Sequence, residues 1–366
     1  MDDEARETGL DPASVAGERH RRGRRLPYRH PHDDVAGGLD LSGPTYAALD
    51  LGTNNCRLLV ARATRDGFRV IDAFSRIIRL GEGITASGRL SEAAIVRAVE
   101  ALRVCRSKMR NRGVTRARLI ATEACRSAEN GVAFLERVRS EVGIELEIVD
   151  RETEALLAAT GCTPLVDPQA DGVILFDIGG GSSELVRLGR AVPVPHGPPH
   201  PEIRGWISIP LGVVTLAERH GGVTVSRETF ERMIDEVAVF VERFKAEHGN
   251  SLSGLHLLGT SGTVTTIAGV YLELPRYERR RVDGCWLRNA QVTDVVERLL
   301  AMSYQDRVAN PCIGAERADL VLAGCAILEA IRRAFPCERL RVADRGLREG
   351  MLVQMMREDR VWERSA

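Results

Sequence analysis

LDLGTNNCRLLV (Leu49 to Val60) and FDIGGGSSELVR (Phe176 to Arg187) spell nearly the same pattern twice in one chain. Aligned on Asp50 and Asp177, each runs from an apolar strand through Asp, an apolar residue and Gly into a short polar turn, then into a second apolar strand. This predicts an internal duplication in which each copy sets a carboxylate at a strand end beside a glycine-rich turn. The backbone N–H groups of such a turn can cradle phosphate, while the carboxylate suits a cation. Two copies facing each other predict a cleft for phosphate and metal.

The wider composition fits that expectation. The chain has 366 residues, 44% hydrophobic and 28% charged, enough for about two cored domains. Its formal net charge is zero, so no global field recruits a polyanion, and nucleic acid is not expected as a partner. Lys108 and Lys245 are the only lysines, so the Arg richness reflects genome composition better than function. The eight cysteines form no CxxC pair and no zinc-spaced cluster, which predicts free thiols in a reducing cytosol. No apolar run approaches the roughly 18 residues of a membrane span, and the N-terminus is acidic, so neither membrane insertion nor secretion is expected.

Residues 1–42 differ from the rest. They lack periodic apolar pattern, include ERHRRGRRLPYRH (Glu18 to His30), and are expected to be disordered. A basic handle for polyphosphate or RNA is one reading. A solvated tail is the better one, because nine acidic residues stand against seven Arg in the segment. From Thr45 onward, strands are expected at Tyr46 to Asp50, Cys56 to Ala63 and Phe68 to Phe74, with an amphipathic helix at about Ser91 to Asn111 capped by Ser91. Then follow a strand at Arg118 to Ala121, a turn carrying Arg126, a helix near Gly131 to Val142, a strand at Glu145 to Val149 and a helix from about Glu152 to Thr160. The second half restarts with strands at Val173 to Asp177, Ser183 to Leu188 and Trp206 to Ile209, and a helix at about Arg227 to His248. A strand at Gly254 to Leu258 then runs into a turn, Gly259 to Thr263. Helices at about Thr293 to Met302, Glu316 to Phe335 and Leu347 to Arg357 complete it, with a short strand at Arg339 to Val342. Each half is therefore an α/β unit, a mixed sheet with helices. Boundaries fall at 43–168 for the first domain and 169–366 for the second, with the last helix free to pack back on the first.

Other phosphate motifs fail on context. A Walker loop needs Gly-Lys before Ser or Thr, and the chain has no Gly-Lys pair. A dinucleotide fingerprint opens a helix, whereas Gly179 to Gly181 lie between two strands.

The chain resembles the exopolyphosphatase and guanosine-pentaphosphate phosphatase (Ppx/GppA) family of the actin, Hsp70 and sugar-kinase superfamily. The blocks that carry the resemblance are LDLGTNNCRLL, RLGEGI (Arg79 to Ile84), ATEACRSAENG (Ala121 to Gly131), ETEALLAATG, FDIGGGSSELV, SIPLGVVTLAE (Ser208 to Glu218), LLGTSGTVTTIAG (Leu257 to Gly269), GAERADLVLAGCAIL (Gly314 to Leu328) and ADRGLREGML (Ala343 to Leu352). They cover nearly everything after residue 42. The resemblance implies two actin-like (ribonuclease H-like) domains, an interdomain phosphate cleft, Mg²⁺ or another divalent cation, and hydrolysis of terminal phosphoanhydrides. Inorganic polyphosphate is the main substrate expected, and guanosine pentaphosphate the alternative. A superfamily kinase and a non-catalytic polyphosphate or alarmone sensor are further readings. They would show as ADP-dependent phosphate uptake or as binding without release.

Roles carry over residue by residue. Glu154 matches the catalytic glutamate, a base for the attacking water, with Glu152 its near rival. Asp177 and Glu184 match the metal-organising motif, with Asp50 as first-copy partner. Arg57 occupies the position of Glu184 in the first copy and suits phosphate oxygens, as guanidinium does. Arg126 resembles a second phosphate-gripping arginine. Thr53, Asn54, Asn55, Gly180, Gly181, Ser182 and Ser183 would supply backbone and hydroxyl contacts, and Gly262 and Thr263 a further phosphate contact. The family usually has Ser where Thr53 and Asn55 stand, and Gly where Arg151 stands, which bears on substrate preference. With the chain ending soon after GLREGML, the resemblance implies the short, two-domain form without the large C-terminal helical region of long members, in which a homodimer is expected to supply surface.

Overall fold

The computed structural model describes residues 43–249 and 253–363, so the N-terminal tail lies outside the described residues. The first sheet is built from β1 (Thr45–Leu51), β2 (Asn55–Thr64), β3 (Gly67–Ile77), β4 (Arg116–Ala121) and β5 (Glu147–Ile148), in the order β3-β2-β1-β4-β5. β1, β2 and β3 pair antiparallel, and β4 and β5 add in parallel. Between them lie α1 (Ile84–Ser87), α2 (Glu92–Asn111), α3 (Glu123–Ser127) and α4 (Gly131–Val142), followed by α5 (Arg151–Cys162). Ser91 caps α2 as expected, its hydroxyl accepting from the Ala94 N–H at 3.3 Å.

The second sheet repeats the plan with one strand more. β6 (Gly172–Ile178), β7 (Ser183–Leu188) and β8 (Ile203–Ile209) pair antiparallel. After α6 (Val213–His220) and α7 (Arg227–His248), β9 (Leu255–Thr260) joins β6 in parallel. The chain continues through α8 (Ser261–Tyr271), α9 (Arg279–Val282), β10 (Trp286–Arg288), α10 (Asn289–Ala301), α11 (Tyr304–Ala309), α12 (Val321–Ala334), β11 (Arg339–Val342) and α13 (Leu347–Glu358). The sheet order is β10-β11-β9-β6-β7-β8.

Three expectations shift. The turn placed at Gly259 to Thr263 is absorbed: β9 runs through Thr260 and α8 opens at Ser261. The long helix expected from Glu316 opens only at Val321, because 315–320 form turns after Gly314, at φ 74°. The Arg126 turn is a short helix, α3, and α6 was not foreseen.

Each sheet has two covered faces. One face of the first packs on α2 and α4 through residues such as Ala98, Leu102, Phe134 and Val138. The other packs Tyr46, Ala48 and Leu59 against Met351, Leu352 and Met355 of α13. In the second sheet, α7, α8, α10 and α12 bury one face, while Ala155, Ala159 and Cys162 of α5 cover Val173, Leu175 and Val186 on the other. The helix that follows the first sheet thus lies on the second, and the helix that follows the second lies on the first. They cross on glycine: a Cβ on Gly161 would stand 2.0 Å from the Gly346 carbonyl, and one on Gly350 would stand 2.0 Å from that of Leu157. No side chain fits at that crossing.

Candidate active site

The two hairpin turns meet face to face. Both close with the same bond, Gly52 N–H to Asn55 O at 2.8 Å and Gly179 N–H to Ser182 O at 3.0 Å. Thr53 of the first turn packs into the second so closely that a Cβ on Gly180 or Gly181 would come within 2.9 Å of its side chain. Glycine is required there by approach. The carbonyls of Gly179 and Gly180 accept from the Val213 and Val214 N–H groups at 3.0 and 2.8 Å, so the start of α6 braces the second turn.

Between the turns lies an open cleft of about 950 Å³. Asp50, Asp177, Glu184, Glu154 and Glu123 supply carboxylates to its lining, and Arg57 and Arg317 supply guanidiniums. Thr53, Asn54, Asn55, Gly180, Gly181, Ser182, Gly262 and Thr263 line it too. The cleft therefore gathers residues from both halves of the chain.

Burial governs the electrostatics. It raises the carboxyls of Asp50 and Asp177, with Arg57 pulling both back toward ionisation, and it raises Glu184 well above the carboxylate range. Ser261, at φ 74° between β9 and α8, donates its hydroxyl to Asp177 Oδ1. Ser182 and Ser208 both donate to Glu184 Oε1, at 2.8 and 3.0 Å. Asp177 Oδ2 and Glu184 Oε2 accept no hydrogen bond among the described residues, and the buried Asn54 and Asn55 Oδ1 atoms have no partner. Behind Asp50, burial would raise Glu349, but Arg348 and Arg279 hold it down at about 2.

Glu154 sits in the first turn of α5, which Asp150 caps by accepting from the Thr153 N–H at 2.7 Å. Its side chain is buried whereas Glu152 is exposed, so the i to i+2 spacing turns the rival away from the cleft. Burial pushes the Glu154 carboxyl up to about 7 against the pull of Arg126.

Two expected phosphate contacts are engaged elsewhere. Arg126 is absent from the cleft lining: its Nη1 donates to Glu154 Oε1 at 2.5 Å and to Val149 O at 2.6 Å, and its Nε donates to Glu123 at 3.1 Å. In this structure four of its five N–H donors are taken by Glu154, Val149 and Glu123. Ser183 is fully buried and donates its hydroxyl to Leu211 O at 2.8 Å, serving the hairpin. The guanidiniums of Arg57 and Arg317, by contrast, make no hydrogen bond and no close salt bridge among the described residues, although Arg57 acts at longer range on Asp50 and Asp177. Arg317, Glu123 and Ser261 were not singled out from sequence. Charged or hydroxyl residues inside otherwise small and apolar blocks, GAERADLVLAG, ATEAC and GTSGT, are the signal that could have found them.

Two duplicated mixed sheets that enclose such a cleft define an actin-like protein of phosphate chemistry. The chain belongs to the Ppx/GppA phosphatase family, whose model matches residues 59–359. It is 27% identical over 316 residues to the guanosine-5'-triphosphate,3'-diphosphate pyrophosphatase of Aeromonas hydrophila, a match covering 86% of this chain and 60% of the relative. The corresponding Photobacterium profundum protein is 26% identical, covering 86% and 59%. The chain thus spans about 60% of the length of these curated relatives. Among solved structures, the Aquifex aeolicus family member is 28% identical with a TM-score of 0.72, covering 86% of this chain and 98% of that one. An exopolyphosphatase from Cytophaga hutchinsonii is 25% identical with a TM-score of 0.76 and the same coverage. No helix among the described residues is long and apolar enough to cross a membrane.

Proposed function

We propose that the protein is a phosphoanhydride hydrolase that removes the terminal phosphate of guanosine 5'-triphosphate,3'-diphosphate. The observation that carries the reaction type is Glu154: buried in the cleft, with a carboxyl pushed up to about 7 and only one oxygen engaged by hydrogen bonding. A base with that proton affinity can take a proton from water at neutral pH, an effect worth about 100- to 10,000-fold. Arg57 and Arg317 would hold the phosphoryl oxygens and offset the charge that spreads over them during transfer.

The donor set fits a divalent cation. Asp50, Asp177 and Glu184 offer only oxygen, four of their oxygens accept no hydrogen bond among the described residues, and the unpartnered Asn54 and Asn55 Oδ1 atoms could accept from waters around an ion. No three His, Cys, Asp or Glu among the described residues stand close enough to hold an ion by themselves, so retained waters would have to complete the shell of a Mg²⁺ ion there. Bound there, Mg²⁺ would neutralise charge on the phosphate oxygens.

The names of the curated relatives favour the guanosine nucleotide over inorganic polyphosphate, the substrate expected first from sequence. Polyphosphate remains the second reading, because the Cytophaga exopolyphosphatase matches over 98% of its own length, whereas the curated relatives match over 60%. The eight free cysteines suit a reducing, cytoplasmic setting.

Phosphate release by the purified chain from both substrates, with and without Mg²⁺, tests this reading. A higher kcat/KM on the guanosine nucleotide, and its loss by about 100-fold or more in Glu154→Gln, is the expected result. Release from neither substrate would end it, and preference for polyphosphate would exchange the two readings.

A further inference from the structure

Glu154 does not stand alone. The two helices that follow the parallel strands β4 and β5, α3 and α5, each open with a charged pair three residues apart, in opposite order: Glu123 and Arg126 on α3, Arg151 and Glu154 on α5. They pair crosswise. Arg151 donates to Glu123 through Nη2 at 3.0 Å and Nε at 3.3 Å, and Arg126 donates to Glu154 at 2.5 Å. Arg126 also donates to Glu123 through both Nε and Nη2, closing the chain Arg151–Glu123–Arg126–Glu154. It runs from an arginine with 43% of its side chain exposed to a carboxylate with 9% exposed.

The pattern of bonds decides what Glu154 can do. A guanidinium facing a single carboxylate grips both oxygens through a two-pronged fork. Here Glu123 takes Nε and Nη2, and Val149 O shares Nη1, so Glu154 receives one hydrogen bond on Oε1 and none on Oε2. Arg151 in turn balances Glu123, so that Arg126 is not surrendered wholly to it. Each link thereby fixes how much of Arg126 reaches the base.

We propose that Glu123 and Arg151 are positioning residues for the hydrolytic step, acting through Arg126 to hold Glu154 by one oxygen and leave Oε2 open to the attacking water. This deepens the hydrolase reading and rests on it. Removing the Glu123 charge frees the Arg126 fork to close on both oxygens of Glu154. The base is then present and buried but closed to water. Removing Arg151 shifts Arg126 toward Glu123 and loosens Glu154 instead.

Steady-state kinetics of the full chain on guanosine 5'-triphosphate,3'-diphosphate, together with a crystal structure of Glu123→Gln, tests the assignment. Glu123→Gln is expected to lower kcat about 10- to 100-fold with KM little changed, the range typical of residues that orient a reactive group. Its structure should show Arg126 donating to both Glu154 oxygens. Arg151→Ala, on an exposed side chain that folding tolerates, should fall at the low end of that range, and Arg151→Lys should recover most of the rate. Wild-type kcat in Glu123→Gln overturns the proposal, as does a rise in KM alone, which would make Glu123 a substrate contact. Should the wild type release no phosphate, the hydrolase reading falls by itself, and the Glu123→Gln structure still decides the geometry: an unchanged single Arg126–Glu154 bond refutes it.

Discussion

The two hairpins share a register, and beside their turns they differ in charge at one paired position. Across the antiparallel ladder Asp50 faces Arg57, and in the second copy Asp177 faces Glu184. The first hairpin carries its own counter-charge. The second sets two carboxylates directly opposite, an arrangement that destabilises a sheet unless something offsets it. Ser182, Ser208 and Ser261 donate hydroxyls to that pair, but hydroxyls bring no net charge. A duplicated frame therefore yields an asymmetric site through one substituted position: one wall suits an anion, the other a cation.

The comparison breaks most severely if the second wall loses its charge. Asp177→Asn or Glu184→Gln should lower activity by about 100-fold or more and flatten the response to added Mg²⁺, since the metal's share of phosphoryl transfer is among the largest. Titration calorimetry with Mg²⁺ would check the binding arm, and unchanged affinity in both variants would refute the metal assignment. Next, Arg57→Ala should cost about 10- to 100-fold in kcat/KM, and Arg57→Lys should restore little, because a point charge does not replace the fork.

A smaller effect concerns stability and pH. Burial raises Asp177, Glu184 and Glu154 in the folded state, so their stabilising contribution is complete below their unfolded values near 4 and is lost as pH rises through the folded ones, about 7 for Glu154. Metal-free protein should therefore lose Tm between pH 5 and pH 8, and the rise in Tm on adding Mg²⁺ should be greater at pH 8. Scanning calorimetry with and without chelator reads this, and a Mg²⁺ effect independent of pH would contradict it. The smallest test compares the aligned turn glycines. A Cβ on Gly52 meets nothing closer than 3.5 Å, whereas one on Gly179 meets Ser182 O at 2.7 Å. Gly52→Ala should leave Tm unchanged and Gly179→Ala should lower it, at a cost of about 1–3 kcal/mol.

Much of this was legible in the chain. The repeated Asp-Gly pattern encodes both hairpins, because alternation and turn glycines are local signals, and the Ser91 cap marks its helix directly. Glu154 was singled out through the family resemblance, since its position alone reads as a surface helix Glu, and it lies buried at the cleft. What the sequence hid was competition between neighbours. The family resemblance makes Arg126 a phosphate ligand, yet two carboxylates converge on it only after α3 and α5 are laid side by side. Residues Gly259 to Thr263 read as a turn by composition, but β9 gains a pairing partner in β6 as far as Thr260, and Ser261 absorbs the change of direction at φ 74°. Arg317 depends on the turns at 315–320 that delay α12, which no periodicity reveals.

The exchanged helices have a consequence for how the molecule holds together. Because α13 completes the core of the first sheet and α5 that of the second, the arrangement resembles an arm-exchanged dimer fused into one chain. A fragment cut after the first sheet would expose Tyr46, Ala48 and Leu59 on one side and carry an orphaned α5 on the other. The halves should therefore melt as a single cooperative unit, and separately expressed halves should fold only when mixed.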